Sequence, residues 1–342
     1  MRTSDERTSG ERTTVVDRGR FPDARTPWDD EEWRREALGW AERTIAARGW
    51  TETGPREVRV RPWSILVRLP IGEGGRDAVW LKTGAPDNAF EAGLSGALAD
   101  WVPEHVMTPL AVDAERGWTL LPDGGPLFRG VLDRGEAGPG EWAAAVGRYA
   151  RMQRLLLPHA DRMSALGVPG ARPRDLPGLL DELVEANPLF DTAERTALLR
   201  QRPRLVDWCA ELDAYGVPDS LDHCDLHDGQ ILAPEPGRFT FFDWGDACVA
   251  HPFGSLLVPL RTVRERYGPE AAAPLVEAYL EPWESLGLPA AELRAAALLA
   301  VRLAALGRAG SWFRLFPGTP LADSHEASAY WVRDLFASED AW

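Results

Sequence analysis

A polar cluster between two short apolar runs carries the side chains best suited to chemistry. The segment 221–232 reads Leu-Asp-His-Cys-Asp-Leu-His-Asp-Gly-Gln-Ile-Leu, and 239–246 reads Phe-Thr-Phe-Phe-Asp-Trp-Gly-Asp. Asp225 and Gln230 lie five residues apart on a tight loop, and Asp243 follows a strand-like run. If the two apolar runs pair as a hairpin, these three side chains meet.

Such a set suits phosphoryl transfer. That reaction needs a carboxylate that orients the incoming hydroxyl, and oxygen ligands for a Mg²⁺ ion that bridges the nucleotide phosphates. We predict Asp225 as the base, Asp243 as the main metal carboxylate and Gln230 as an amide-oxygen ligand. The structural alternatives are a turn residue for Asp225, a strand-end cap for Asp243 and loop hydrogen bonding for Gln230.

Lys82 is the single lysine among 38 basic residues. Arginine and lysine differ in shape and hydration, so a lone lysine in an arginine-rich chain suggests a role that arginine does not fill. We predict that Lys82, at the end of a strand, contacts the nucleotide phosphates. Glu91 on the next helix is expected to orient it through an ion pair. Chance retention of the lysine and a solvated helix face for the glutamate are the alternatives.

Residues 26–122 are expected to form a small N-terminal lobe after a disordered tail over 1–25. The tail is rich in charged and hydroxyl residues with few apolar positions, a composition typical of disorder. Periodicity and capping residues then predict both helices and strands. The predicted elements are a helix over 26–49, strands at 58–60, 65–69 and 78–82, a helix over 88–101, and strands at 106–112 and 118–121.

Residues 123–342 are expected to form a larger, mainly helical C-terminal lobe after a Pro- and Gly-rich linker at 122–126. The predicted helices cover 141–166, 176–186, 191–214, 254–266, 270–285 and 290–309. A strand-rich island at 220–248 interrupts them and carries the polar cluster. The predicted fold class is therefore α+β and bilobal, with a small antiparallel β-sheet in the N-lobe, and we expect a ligand site between the lobes.

These motifs, in this order, resemble the aminoglycoside phosphotransferase and choline kinase family, small-molecule kinases here of actinobacterial type. The run 223–230 resembles the family's catalytic loop, His-x-Asp-Leu-His-x-x-Asn, and Asp243-Trp-Gly-Asp resembles its metal-binding segment. Lys82 and Glu91 resemble the third-strand lysine and its helical partner. The resemblance spans about residues 55–310. It implies a protein-kinase-like fold and Mg²⁺-dependent transfer of phosphate from ATP or GTP to an aminoglycoside-like antibiotic or an amino alcohol.

The chain also departs from the family pattern. Gln230 stands where the family usually has asparagine, and Cys224 where it usually has glycine. The loop that would cover the nucleotide has no Gly-x-Gly-x-x-Gly, and Ser64 is our candidate for its nucleotide contact. Leu121 and Asp123 occupy the hinge position, where we expect backbone groups to contact the adenine.

Residues around the loop are assigned supporting roles. His223 and His227 are expected to be structural hydrogen-bonding residues rather than catalysts, because Mg²⁺ prefers oxygen ligands. Asp246 is expected to support the metal site or to serve as a turn residue. The aspartate that the family carries shortly after a position like His251-Pro252 is missing, and Gly254-Ser255 stand there instead.

The formal net charge of −15 disfavours nucleic-acid binding, because an acidic surface repels phosphate backbones. The expected partners are a nucleotide and a small-molecule acceptor. Two interpretations stay open for the acidic residues near the C-terminus: they line a site for a cationic acceptor, or they form a solvated face. These residues are Glu326, Asp334, Glu339 and Asp340. The sequence leaves the oligomeric state open.

The sequence composition also indicates the cellular compartment and the class of protein. Three cysteines argue against a disulfide framework, and each is expected to be a small buried apolar residue. The N-terminus lacks the apolar core of a signal peptide, and the apolar run 295–306 is too short to span a bilayer. We therefore expect a cytoplasmic enzyme without a membrane segment. A nucleotide-binding pseudokinase, favoured by Gln230, is the alternative; a protein kinase is disfavoured because no Ala-Pro-Glu segment is evident.

Overall fold

The computed structural model describes residues 25–72, 77–315 and 322–337. The expected tail thus lies, apart from Arg25, outside the described residues. The N-terminal part is built on an antiparallel sheet with strand order β1-β2-β3-β5-β4. Its elements are α1 (Glu31–Ala46), β1 (Glu57–Val60), β2 (Ser64–Pro70), β3 (Ala78–Gly84), α2 (Phe90–Trp101), β4 (Ala111–Asp113) and β5 (Trp118–Pro122).

Helix α1 covers one face of this sheet. Asp30 caps the helix by accepting a hydrogen bond from the Glu32 backbone N–H at 2.8 Å, which satisfies one of the free donors of the first turn. A short 3₁₀ turn before it buries Trp28 completely, and the Trp28 indole donates to the Arg61 carbonyl at 2.9 Å. Trp33 of α1 packs edge-on against Trp118 of β5 at 5.9 Å between ring centroids. Aromatic side chains therefore hold the helix to the sheet.

The predicted strand at 106–112 is wrong in its extent. The strand β4 covers only Ala111–Asp113. Pro109 precedes it and has no N–H to donate to a strand partner. Val106 instead forms an isolated bridge to Phe241, and the backbone N–H of Phe241 donates to the His105 carbonyl at 2.9 Å. This segment therefore connects the N-terminal sheet to the predicted hairpin of the C-terminal part.

The C-terminal part is mainly helical. Its elements are α3 (Phe128–Asp133), α4 (Pro139–Leu156), α5 (Ala160–Ala165), β6 (Gly170–Ala171), α6 (Leu176–Ala186), α7 (Thr192–Arg200), α8 (Arg202–Ala214), β7 (Ser220–Asp222), β8 (Ile231–Glu235), β9 (Arg238–Phe241), β10 (Cys248–Ala250), α9 (Leu257–Tyr267), α10 (Ala272–Leu280), α11 (Ala290–Arg314) and α12 (Ala322–Ala337). The two-lobed α+β arrangement expected from the sequence is confirmed.

Proline explains why three predicted helices are divided. The segment 191–214 forms α7 and α8, and Pro203 stands in the first turn of α8, where its missing N–H costs nothing. The segment 141–166 divides before Pro158, and α10 gives way to a 3₁₀ turn that contains Pro282. Helices α3 and α12 were not predicted as separate elements, because one is very short and the sequence before the other contains Pro and Gly.

The island forms two small sheets, β8 with β9 and β6-β10-β7. In the hairpin, Ile231 pairs with Phe241, so the residues just outside this pair, Gln230 and Phe242, are neighbours. The hairpin rests on α4, where the buried Tyr149 ring meets Phe241 edge-on at 5.0 Å. The predicted hairpin is thus confirmed, and the hydrophobic core fixes it from below.

The linker after β5 is docked on the same hairpin. The Ala233 backbone N–H donates to the Pro126 carbonyl at 2.9 Å, and Leu127 bridges to Leu232. A Cβ at Gly124 would lie 2.3 Å from a methyl group of Leu232 and 2.8 Å from that of Met107, so a side chain there would force these two side chains to move. The hinge and the strand that follows the polar loop therefore lie in direct contact.

Among the described helices, none combines the length and the hydropathy that a membrane crossing requires.

Replacing Trp28 with alanine should lower the free energy of unfolding by about 3–5 kcal/mol, because it empties a fully buried aromatic site. Denaturant unfolding followed by circular dichroism measures the change. Leu155, which is 56% exposed, provides the control, and Leu155→Ala should change the free energy by about 0.5 kcal/mol or less. Equal effects of the two substitutions would contradict the packing described for α1.

Candidate active site

The hairpin brings Asp225, Gln230 and Asp243 together, as predicted. The Phe242 backbone N–H donates to the Gln230 carbonyl at 3.3 Å, so the two loops meet at the open end of β8 and β9. The side chain of Gln230 lies close enough to interact with the carboxylates of both Asp225 and Asp243. The amide therefore stands between the predicted base and the predicted metal carboxylate.

Lys82 joins this cluster from the other lobe. Its Nζ lies 2.5 Å from Oδ1 of Asp243 and is also hydrogen-bonded to Glu91. Glu91 Oε1 in turn accepts a hydrogen bond from the Trp244 backbone N–H at 2.9 Å. The predicted Lys82–Glu91 ion pair is therefore present, and the same two side chains hold the segment that carries Asp243.

Opposite charges stabilise the cluster of Lys82, Glu91 and Asp243. Burial by itself would lower the pKa of Lys82, but the carboxylates of Asp243 and Glu91 outweigh it and raise that pKa above its ordinary value. Burial would raise the pKa of Asp243, yet Lys82 keeps it below the ordinary value. Lys82 and Asp243 are therefore charged at neutral pH. The backbone of Asp243 is in the left-handed region, with a φ of 69°. Residues other than glycine rarely adopt this conformation.

Asp225 has a partner that the sequence analysis missed. The Arg308 guanidinium of α11 lies 2.6 Å from Oδ1 of Asp225 and 3.1 Å from Oδ2 of Asp246. Burial raises the pKa of Asp225 to about 7; Arg308 opposes this shift, and Asp246 and Asp243 add to it. The signal that could have found Arg308 is an arginine inside a helical run of small residues, where a buried charge requires a counter-charge.

The histidines of the loop make structural hydrogen bonds. His223 is buried, and its Nε2 bonds to the Phe242 carbonyl at 2.9 Å. His227 Nδ1 accepts from the Gly229 backbone N–H at 2.9 Å and lies 3.0 Å from Arg129. Burial lowers the pKa of His227 to about 4 and that of His223 below its ordinary value. Both rings are therefore neutral at pH 7, in agreement with the predicted role.

Asp222 supports the loop from below. Its Oδ1 accepts from the Cys224 backbone N–H at 2.9 Å and from the Ser255 hydroxyl at 2.8 Å. Gln153 of α4 donates to Ser255 and to the Leu221 carbonyl. The acidic residue missing near 254–255 is thus replaced by a serine that hydrogen-bonds to an aspartate on β7. The loop conformation, including a φ of 59° at Cys224, depends on this buried network.

The remaining predicted contacts lie on the N-lobe side. Ser64 begins β2 after the turn 61–63 and pairs with Gly84, two residues beyond Lys82. Leu121 lies on β5 opposite Trp80. The carboxylate of Asp123 accepts from the Gly125 backbone N–H at 3.2 Å, so it caps the hinge turn itself. The contacts of these residues with a nucleotide stay predictions.

Two groups of side chains offer atoms that could bind a metal ion. Asp243 and Gln230 offer carboxylate and amide oxygens next to the predicted base, which fits Mg²⁺. Asp222, Cys224 and Cys248 also lie close together. However, Asp222 Oδ1 is already occupied, and the two sulfurs are only 3.1 Å apart, less than the roughly 3.8 Å that tetrahedral zinc would require. The three cysteines are buried and free, as predicted.

A comparison with protein-family models matches residues 89–289 to the phosphotransferase enzyme family. The chain belongs to this family. The expectation of a phosphotransferase enzyme related to aminoglycoside phosphotransferases and choline kinases is therefore confirmed. A comparison with curated proteins finds no match.

Solved structures show the same fold. A choline/ethanolamine kinase family protein from Mesorhizobium loti is 16% identical, with a TM-score of 0.55 over 89% of this chain and 96% of that one. A macrolide 2′-phosphotransferase from Brachybacterium faecium is 19% identical, with a TM-score of 0.54 over 89% and 99%. APH(2″), solved with GDP and kanamycin, is 14% identical, with a TM-score of 0.53 over 88% and 99%. The kinase-like bilobal fold is confirmed.

Asp222→Asn should change how stability depends on pH. Burial raises the pKa of Asp222 from 3.8 to about 6, so folding favours the protonated acid. The contribution of protonated Asp222 to the free energy of unfolding is complete below about pH 4 and is lost as the pH rises through 6. Asparagine keeps the accepting oxygen without titrating. From pH 4 to 7, wild type should lose stability relative to the variant, as measured by denaturant unfolding at each pH.

A constant difference between the two proteins across this range would contradict the assignment. Asp100→Asn, an exposed substitution on α2, controls for a general effect of removing a carboxylate.

Proposed function

We propose that the protein transfers the γ-phosphate of ATP or GTP to a hydroxyl group of a small molecule, with Mg²⁺ as cofactor. One observation carries the proposal: Asp243 lies 2.5 Å from the ammonium of Lys82, and the Gln230 side chain lies beside the carboxylates of both Asp225 and Asp243. A base, two oxygen ligands and a phosphate-binding cation are thus in one cluster. Phosphoryl transfer needs these groups and little covalent chemistry.

Each side chain has a role that follows from its position. Lys82, oriented by Glu91, binds the phosphates next to the β-sheet. Asp225 orients the acceptor hydroxyl and accepts its proton, and Asp243 with Gln230 would hold the metal. Mg²⁺, when bound, neutralises the phosphate charge that develops during transfer. Positioning and charge stabilisation supply most of the rate. We place the nucleotide-binding lobe at 26–122 and the catalytic lobe at 123–342.

We propose an aminoglycoside-like antibiotic or an amino alcohol as the acceptor class. The family membership and the folds of the relatives support this choice. Of the acidic residues considered for a cationic acceptor, Asp334 is paired with Arg261 at 2.5 Å and Glu326 is exposed. Glu339 and Asp340 lie outside the described residues. We further propose that the enzyme acts in the cytoplasm, where nucleotides are available and free cysteines stay reduced.

The test is nucleotide turnover with Mg²⁺ and ATP or GTP, measured across aminoglycosides, macrolides and amino alcohols. Asp225→Asn should lower acceptor-dependent turnover by at least about 100-fold, because it removes the base. The affinity for nucleotide should stay within a factor of two. The matched control is Asp100→Asn, which replaces an exposed carboxylate on α2 and should leave turnover unchanged.

Acceptor-dependent turnover that survives in Asp225→Asn would exclude Asp225 as the base. Nucleotide binding without turnover on any acceptor would favour the pseudokinase alternative. Absence of nucleotide binding by wild type would overturn the proposed function.

Asp243→Asn should weaken the binding of Mg²⁺–nucleotide more than the binding of nucleotide without metal. Asparagine keeps the size of the side chain but removes the charge that a divalent cation requires. Isothermal titration calorimetry with and without Mg²⁺ separates the two affinities. If both affinities change equally, Asp243 does not bind the metal. Asp100→Asn, which removes an exposed carboxylate on α2, serves as the control for a change of charge.

A further inference from the structure

Arg308 connects two segments that the proposed function places on opposite sides of the reaction. Its Nη2 bonds to Asp225 in the catalytic loop at 2.6 Å, and its Nη1 bonds to Asp246 in the metal segment at 3.1 Å. The side chain is only 10% exposed. One guanidinium therefore spans the two loops by using two different nitrogens.

The position of Arg308 is fixed by its own helix. Nη1 also lies 3.3 Å from the Ser311 hydroxyl, and the guanidinium lies 5.5 Å from the centre of the Trp312 ring. A Cβ added at Gly307 would lie 3.6 Å from the sulfur of Cys248 and 3.7 Å from that of Cys224. Helix α11 thus packs directly against the loop that carries Asp225, and its arginine reaches Asp225 without crossing solvent.

We infer that Arg308 is a positioning residue for the transfer reaction, an inference that rests on the proposed function. By holding Oδ1 of Asp225, the guanidinium leaves Oδ2 as the oxygen that faces the acceptor hydroxyl. By holding Asp246 as well, it sets the separation between the base and the segment of Asp243. A lysine has one compact cationic group and cannot bond to both carboxylates in the same way.

If the ion pairs of Arg308 were purely structural, its substitution would have a different effect. Removing a buried arginine would then lower stability and weaken every substrate interaction together. A positioning residue instead affects the step that follows binding. Its loss should reduce kcat, with the KM for nucleotide unchanged, because Lys82, oriented by Glu91, binds the phosphates and does not contact Arg308.

The experiment uses Arg308→Ala and Arg308→Lys with the full-length protein and an acceptor that wild type phosphorylates. We expect kcat to fall by about 100-fold in Arg308→Ala, the loss typical of a misplaced reacting group. Millimolar guanidinium should restore part of this kcat, while urea, a neutral molecule of the same shape, should not. Arg308→Lys should fall between Arg308→Ala and wild type.

Arg302→Ala is the matched control. Arg302 lies on the same helix, with its guanidinium 5.0 Å from the centre of the Trp208 ring, and its loss should leave kcat unchanged. Wild-type kcat in Arg308→Lys and Arg308→Ala would overturn the inference. So would a loss that guanidinium does not restore and that comes with an equal rise in the KM for nucleotide. If Arg308→Ala does not fold, the kcat and KM of Arg308→Lys decide.

A second measurement separates this inference from the proposed function. Hydrogen exchange of residues 222–230 and 243–247 needs no turnover. Faster exchange in both segments of Arg308→Lys, relative to Arg302→Ala, supports the positioning role even if wild type phosphorylates none of the acceptors. Faster exchange confined to α11 would overturn it. Absence of turnover in wild type would count against the proposed function alone.

Discussion

The site depends on the ion pairs of the Lys82 ammonium, because this group contacts carboxylates from both lobes. Glu91 comes from the helix behind the N-terminal sheet, and Asp243 comes from the end of the C-terminal hairpin. Lys82 and Glu91 are buried, and burying charged side chains is costly unless each has close partners. Here the Trp244 backbone N–H supplies a further hydrogen bond to Glu91. The contact between the lobes is therefore polar and specific at the candidate active site.

The rest of the C-terminal lobe stabilises the two loops that meet this cation. Helix α4 contributes Tyr149 and Gln153 beneath the hairpin and the loop, and α11 contributes Arg308 from the side. These helices lie far apart in sequence, yet each contacts a backbone or carboxylate group within a few residues of Asp225. The core is thus arranged so that rigid helices, rather than the loops themselves, fix the polar groups.

The sequence predicted what depends on local spacing. The hairpin, and with it the meeting of Asp225, Gln230 and Asp243, followed from two apolar runs around a turn. The Lys82–Glu91 pair followed from a strand and the next helix. Arg308 and the Asp222–Ser255 pair were not predicted, because their partners are brought together by helix packing. The division of 191–214 at Pro203 was missed because the apolar periodicity continues through the break.

The left-handed backbone at Cys224 and Asp243 has a consequence for how this enzyme can evolve. Two side-chain-bearing residues hold conformations that cost about 1–3 kcal/mol each, one on either side of the site. Glycine would relieve this cost at both places, yet at Asp243 it would remove the carboxylate that Lys82 binds. A change of Asp243 to glycine would therefore raise stability but remove a group of the site. A change of Cys224 to glycine would raise stability without removing such a group.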